Sequence, residues 1–213
     1  MTIHDLVAPI SRYFRKKRMT QFATLFAPTA HDSIIDVGGY PATWALIEAR
    51  PSVVMVNLED EHWRDGSLEK VRGDGRKLTY PDRSFDIAFS NSVIEHVGTW
   101  EDQRDFADEI RRVGTRYYVQ TPNRRFPLEM HVLAPFVQHL PPALAKRLIR
   151  WITPWGWMHR PTPEYVDEFV DHLRLLTVDE MRELFPDAVI LRERVFGITK
   201  SIIAVRLEPK GAP

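Results

Sequence analysis

The chain has 213 residues, with 29 basic and 29 acidic side chains and no cysteine. That length suits one domain with an insertion, and a hydrophobic share of 44% is enough to bury a core. The missing thiols exclude a disulfide scaffold, a thiolate nucleophile, an iron–sulfur cluster and cysteine-ligated zinc, and the balanced charge argues against a protein that coats nucleic acid.

The first 22 residues carry charges throughout and lack the apolar run and small-residue cleavage site of a secretory signal. No stretch approaches the roughly 18 uninterrupted apolar residues of a membrane span. The expected location is the cytoplasm.

A helix is predicted over residues 3–25, with Leu6, Ile10, Phe14, Phe22 and Leu25 at helical spacing, before Pro28 breaks the pattern. Residues 33–38 then form an apolar strand that ends in a glycine turn. A helix over 42–49 is closed by Pro51, and residues 53–58 make a second strand, covered on both faces. A strand over 86–90, a helix over 103–113 and a strand over 116–121 continue the alternation, which implies βαβ units and a parallel sheet. For about fifty residues after Thr121 the rhythm stops. It returns with the capping-box spacing Thr177…Glu180, opening a helix through Leu184, and with a closing antiparallel hairpin over 188–195 and 201–207. The expected fold is α/β: a doubly wound sheet of about seven strands forming a single domain over 1–213, with an inserted cap over 122–176.

In open parallel sheets, ligands bind at the carboxyl ends of the strands where the order reverses. The segment Asp36-Val37-Gly38-Gly39-Tyr40-Pro41 sits at such an end, and its glycines let backbone approach a ligand. No Lys-Ser/Thr follows, so this is no phosphate-binding P-loop, and Tyr40 and Ala42 break the three-glycine dinucleotide fingerprint. The second strand ends in Asn57-Leu58-Glu59, where hydrogen-bonding side chains would face a ribose. Gly73-Asp74-Gly75-Arg76 follows, then Pro81-Asp82-Arg83-Ser84-Phe85-Asp86, then Ile94-Glu95-His96-Val97.

From about residue 33 to 121 this order and spacing resemble the class I S-adenosylmethionine-dependent methyltransferases, in particular their type 11 group, whose fold is Rossmann-like. The resemblance implies S-adenosylmethionine as cofactor. It places Asp36, Gly38, Gly39 and Tyr40 at the methionine and ribose end, Asn57 or Glu59 on the ribose hydroxyls, Asp74 and Gly75 at the adenine, and Asn91 as the closing residue. Tyr40 and Asn57 depart from the family pattern, which usually has a glycine and an acid there.

Methyl transfer to a hydroxyl requires the acceptor's proton to be removed, and His96 has the intrinsic pKa of a general base. A structural role in the loop is the alternative for this residue. The run Ser92…Glu95-His96 is also similar to the Glu-x-x-Glu-His metal site of ubiquinone-pathway O-methyltransferases, with serine in place of the first ligand. Glu95, His96, Glu129 and His131 therefore form both the catalytic set and the candidate ligand set for magnesium or a similar divalent ion.

The insertion brings prolines that set a rigid, irregular path, and Trp151, Trp155 and Trp157, whose flat faces suit a sugar ring. A homodimer interface, core packing, and membrane contact through residues 143–152 are the other uses weighed for this segment. The expected activity is O-methylation of a hydroxyl on a small or oligomeric acceptor, leaning to a carbohydrate of the mannoside type, as in the similar actinobacterial enzymes of methylmannose polysaccharide assembly. A lipid or quinone phenol, a carboxylate, or a non-catalytic cofactor-binding role are the rivals.

Overall fold

The structure, a computed structural model, describes residues 3–207, and side chains from residue 8 on. The first helix, α1 (Ile3–Phe26), is followed by β1 (Ser33–Val37), α2 (Pro41–Trp44), β2 (Ser52–Asn57), β3 (Trp63–Asp65), β4 (Leu68–Arg72), β5 (Phe85–Asn91), α3 (Trp100–Val113) and β6 (Gly114–Pro122). The inserted segment holds β7 (Leu128–Glu129), β8 (Ala134–Pro135), α4 (Pro142–Ile152), α5 (Pro154–His159) and α6 (Pro163–His172). The chain closes with α7 (Val178–Leu184), β9 (Val189–Val195) and β10 (Ile198–Arg206).

Eight strands form the main sheet in the order β3-β4-β2-β1-β5-β6-β10-β9. From β4 to β6 they run parallel, while β3 at one edge and the β9–β10 hairpin at the other are antiparallel. The fold is a Rossmann-like α/β sheet, and the order reverses between β1 and β5, where a crevice opens at the strands' carboxyl ends.

Alternate residues feed two cores on opposite faces. Ile34, Ile87, Tyr118 and Ile203 pack with Met19, Phe22 and Phe26 of α1. Ile35, Ala88, Tyr117 and Ile202 pack with Phe106 and Ile110 of α3 and Met181 of α7. Runs that are apolar on both faces are what a sheet covered on both sides requires.

The sheet has eight strands rather than about seven, and β3 and β4 carry the unread sequence Trp63-Arg64-Asp65 and Leu68-Glu69-Lys70-Val71-Arg72. β3 is the edge strand and β4 the next one in, and near the edge these strands keep charges that a central strand could not. On α1 the core face is Met19, Phe22 and Phe26, whereas Ile10 and Leu25 are exposed; Leu6 lies outside the described side chains. The helix expected over 42–49 reduces to the single turn α2. α3 begins earlier than expected, because Thr99 and Asp102 form a capping box. The box at Thr177 and Glu180 opens α7 as read from the sequence.

The cap departs most from expectation. Its prolines do not dictate an irregular path: Pro142, Pro154 and Pro163 each start a helix, where the missing N–H costs nothing and the fixed φ is already helical. Thr153 and Thr162 cap the second and third of these helices. The cap has its own small core of Val132, Val137, Ala145, Ile149, Trp155 and Val166, with Trp155 stacked on Phe169 at 5.3 Å. Among the described residues no helix is long and apolar enough to cross a membrane.

Candidate functional site

The loop after β1 is shaped by two close approaches. Gly38 has φ +79° and gives its N–H to the Val56 carbonyl at 2.8 Å, and a Cβ there would meet Val93 at 2.3 Å. At Gly39 a Cβ would fall 1.9 Å from an Asp36 carboxylate oxygen. Asp36 is buried and accepts a hydrogen bond from the Trp44 indole at 2.8 Å. Burial lifts its pKa to about 7, with the Trp44 bond opposing the rise.

Two cavities flank this loop and share Gly38 and Tyr40 as a common wall. The larger, about 500 Å³, is bordered by Asn57, Glu59, Asp74, Gly75 and His96. The smaller, about 400 Å³, is bordered by Asp36, Gly39, Asn91 and His131. All nine residues assigned to a cofactor from the sequence therefore border one cavity or the other.

In the larger cavity these side chains are already engaged. Asn57 donates its amide to the Gly39 carbonyl at 2.9 Å and so braces the glycine loop. Glu59 accepts from Lys70 at 2.6 Å, a bond that lowers its pKa, and Lys70 also bonds Glu61. The Lys70 ammonium lies 5.6 Å from the Tyr40 ring centre. Asp74 takes Nε and Nη2 of Arg76 at 3.0 and 2.7 Å and the Arg76 backbone N–H at 2.9 Å. The Arg76 guanidinium, which also reaches Asp102 at 2.7 Å, holds Asp74 below the usual carboxylate range. Arg76 Nε is shared between both Asp74 oxygens, at 3.0 and 3.1 Å, so three N–H groups occupy a carboxylate that has about four acceptor sites. Arg76, Asp102 and, from the cap, Asp171 and His172 also border this space and were not read from the sequence.

The catalytic candidates form a chain joining the two cavities. The carboxylate of Glu129, buried in the cap, accepts the backbone N–H groups of His131 and Val132 at 2.8 and 2.9 Å and the His131 Nδ1–H at 2.6 Å. His131 Nε2 lies 3.1 Å from His96 Nε2, with the rings perpendicular. Only one proton fits between those nitrogens. Because His131 gives Nδ1–H to Glu129, its Nε2 accepts from His96 when His131 is neutral and donates when it is a cation. Burial disfavours the His131 cation, but the bond and charge of Glu129, joined by the charge of Glu95, outweigh that and hold its pKa above the ordinary value. His96 keeps an exposed edge, and its pKa is pressed down by burial of the ring and by the His131 charge.

Glu95 is fully buried, accepts the Thr121 hydroxyl at 2.9 Å, and has a raised pKa from desolvation. Its second oxygen has no hydrogen-bond partner. Glu95, His96 and His131 each offer a ligand atom within 4.8 Å of the others. Glu129 stands behind His131 rather than beside it, so its place is to orient an imidazole, not to complete a ligand set.

Gln103 of α3 holds this corner together. Its amide donates to the carbonyls of Ile94 and Arg174 at 2.9 and 2.8 Å, and its oxygen accepts from the Arg174 guanidinium at 2.6 Å. The Arg174 N–H in turn bonds the Glu95 carbonyl at 2.8 Å. The tryptophans expected to face an acceptor lie elsewhere: Trp155 is in the cap core, while Trp151 and Trp157 are 66% and 61% exposed and border neither cavity.

Residues 40–116 match a family model described as a methyltransferase domain. A protein from Pyrococcus horikoshii OT3, PH0226, aligns at 13% identity over 94% of this chain and 91% of its own, with TM-score 0.58. A chain from the complex of the Haloferax volcanii Trm112 methyltransferase activator with its methyltransferase partner aligns at 13% identity over 99% and 97%, also at 0.58. Phosphoethanolamine N-methyltransferase 2 of Haemonchus contortus, solved with S-adenosyl-L-methionine, aligns at 16% identity over 83% of this chain and 38% of its own, at 0.53. No curated protein matches. At such identities the structural likeness speaks for the fold. With the family match it supports an enzyme of the S-adenosylmethionine-dependent methyltransferase kind.

Proposed function

We propose that this protein transfers the methyl group of S-adenosylmethionine to a hydroxyl of a small or oligomeric acceptor. The larger cavity would take the adenosine, with Asp74 at the adenine and Glu59 at the ribose. The smaller would take the methionine end beside Asp36 and Asn91, and the acceptor beyond it. The observation that carries the reading is the Glu129–His131–His96 chain, which joins the two cavities by hydrogen bonds.

When bound, the cofactor supplies an already activated methyl electrophile, so what remains for the chain is to position the acceptor and take its proton. His96 Nδ1 is free to receive that proton when His96 Nε2–H points at a neutral His131. The Nε2 proton then passes to His131, whose cation Glu129 holds. The relay spreads the developing charge over three groups instead of leaving it on one pressed-down imidazole.

Among hydroxyl acceptors a carbohydrate is the leaning that the sequence provides, although the exposed tryptophans lend it no support. The test is calorimetry with S-adenosylhomocysteine, then a methyl-release assay over sugar, phenol, carboxylate and amine acceptors. Binding with turnover on a hydroxyl acceptor is the expected result. Binding with no turnover on any acceptor would make this a non-catalytic cofactor-binding protein.

One observation favours a second reading, in which a divalent ion assists: Glu95, which has an unpartnered buried oxygen, offers a carboxylate oxygen within 4.8 Å of ligand atoms on two imidazoles. Two imidazoles and one carboxylate suit zinc, manganese or iron(II) better than magnesium, which prefers oxygen ligands. Such an ion would lower the pKa of an acceptor hydroxyl. Metal analysis of the purified protein, and turnover with and without chelator, decide between ion and relay.

A further inference from the structure

We propose that the smaller cavity binds an anionic group of the acceptor, a carboxylate or a phosphate, between Arg18 of α1 and Lys200 of β10. This rests on the methyltransferase reading above and names its substrate class: a hydroxy acid or a phosphorylated alcohol, sugar acids and sugar phosphates included.

Four observations converge on that wall. First, the Arg18 and Lys200 side chains are each only 11% exposed, and they share one carboxylate, Glu193. The same Glu193 oxygen lies 3.7 Å from Arg18 and 3.6 Å from Lys200, longer than good hydrogen bonds. Arg18 and Lys200 thus share one distant anion, and the buried Glu95 also acts on Arg18. Asp36 in the same cavity keeps its proton up to about pH 7, and exposed Arg15 adds charge at the rim. Withdrawing a cation from water is unfavourable unless a partner replaces the solvent. The Phe14 ring, 4.0 Å from the Lys200 ammonium, compensates only in part.

Second, unused donors are at hand. Arg18 Nε and Gln120 Nε2 are buried without partners, while the Gln120 oxygen already accepts the Ser92 hydroxyl at 2.9 Å. Carboxylate and phosphate oxygens accept without donating, which is what such donors lack. A neutral sugar hydroxyl would leave the charge unbalanced. Third, Lys200 is the extra residue of a β-bulge: Thr199 pairs with Arg194 and Ser201 with Glu193, so Lys200 has no partner in the ladder. Bulges re-aim a side chain, here into the cavity.

Fourth, position separates this wall from the cofactor's own carboxylate. β10 lies two strands beyond β5, about 10 Å at the usual strand spacing. The methionine end is assigned to Asp36 and Asn91, on β1 and β5. The anion site is therefore on the acceptor's side.

The experiment titrates inorganic phosphate into protein saturated with S-adenosylhomocysteine. Phosphate should bind the complex in the millimolar range. Arg18→Gln and Lys200→Met should each weaken it at least about tenfold, the loss expected for a charge-assisted bond. Both variants should keep S-adenosylhomocysteine affinity within about twofold. Lys200→Met retains the aliphatic stem, so it carries the test should Arg18→Gln melt early. Phosphate that displaces S-adenosylhomocysteine, or variants that weaken both ligands alike, would give the pair to the cofactor and overturn the proposal. A complex that takes no phosphate overturns it as well. Failure of S-adenosylhomocysteine itself to bind is a different result, and removes the methyltransferase reading instead.

Discussion

The two cavities share a wall and differ in how their polar groups are spent. In the larger, Asn57, Glu59 and Asp74 are each paired inside the protein, to the Gly39 carbonyl, Lys70 and Arg76. In and beside the smaller, Arg18 Nε, Asn91 Oδ1, Gln120 Nε2 and Glu95 Oε1 are buried without partners. An unsatisfied buried group costs about 1–3 kcal/mol. One cavity is thus a finished surface that a ligand fits by shape and spare lone pairs, while the other holds unmade bonds that only a ligand completes.

The largest expected effect tests the unfinished side. Asp36 keeps its proton up to about pH 7 in the folded chain, against an ordinary carboxyl value of 3.8. Between those values the folded state holds a proton that the unfolded state has lost, so stability falls as pH rises through the window and levels above it. Three units correspond to about 4 kcal/mol. Chemical denaturation should find Asp36→Asn level with wild type near pH 4 and more stable by about that amount at pH 8, because Asn can still accept the Trp44 bond. Identical pH slopes in the two proteins would place the titration elsewhere.

Next in size is His96→Ala, which should lower turnover about a hundredfold, the usual span for a general base. S-adenosylhomocysteine affinity in calorimetry should hold within about twofold. Near-normal turnover would leave His96 a structural part of the rim. On the finished side, Asp74→Ala should weaken S-adenosylhomocysteine about tenfold, since Arg76 still has Asp102 and the loop stays braced. Unchanged affinity would mean that the ion pair is all that Asp74 serves. The smallest effect belongs to Trp151→Ser and Trp157→Ser. Neither residue borders either of these two cavities, so cofactor affinity and turnover should each shift by less than about twofold.

The contrast between the two sides also separates what the sequence disclosed from what it hid. The larger cavity is built from short contiguous runs, Asn57-Leu58-Glu59 and Gly73-Asp74-Gly75, that sit where parallel strands end. Runs of that kind are visible one after another along the chain. The central strands were visible for a related reason: buried on both faces, they are apolar throughout. By contrast β3 is an edge strand and β4 its neighbour, where Arg64, Glu69 and Arg72 are tolerated and the apolar signal vanishes. Buried Lys70 belongs to no apolar pattern, and only its ion pairs with Glu59 and Glu61 explain it. From sequence the cap's prolines indicate a rigid, irregular path, because a proline starting a helix differs from one ending it only through its neighbours. Arg18 and Lys200 could not be paired from sequence at all. They stand near opposite ends of the chain and meet because β10 inserts between β6 and β9 while α1 packs across the same face.

Gln103 has a mechanical consequence. By gripping the Ile94 carbonyl, the Arg174 carbonyl and the Arg174 guanidinium at once, it welds the turn carrying Glu95 and His96 to the segment by which the chain leaves the cap. The cap's exit and the histidine turn are therefore one lever with its fulcrum on α3. Any breathing of the cap at that end is transmitted to His96. Hydrogen exchange at Glu95, His96 and Arg174 should follow one common opening rate, and cutting the fulcrum with Gln103→Leu should split it into two.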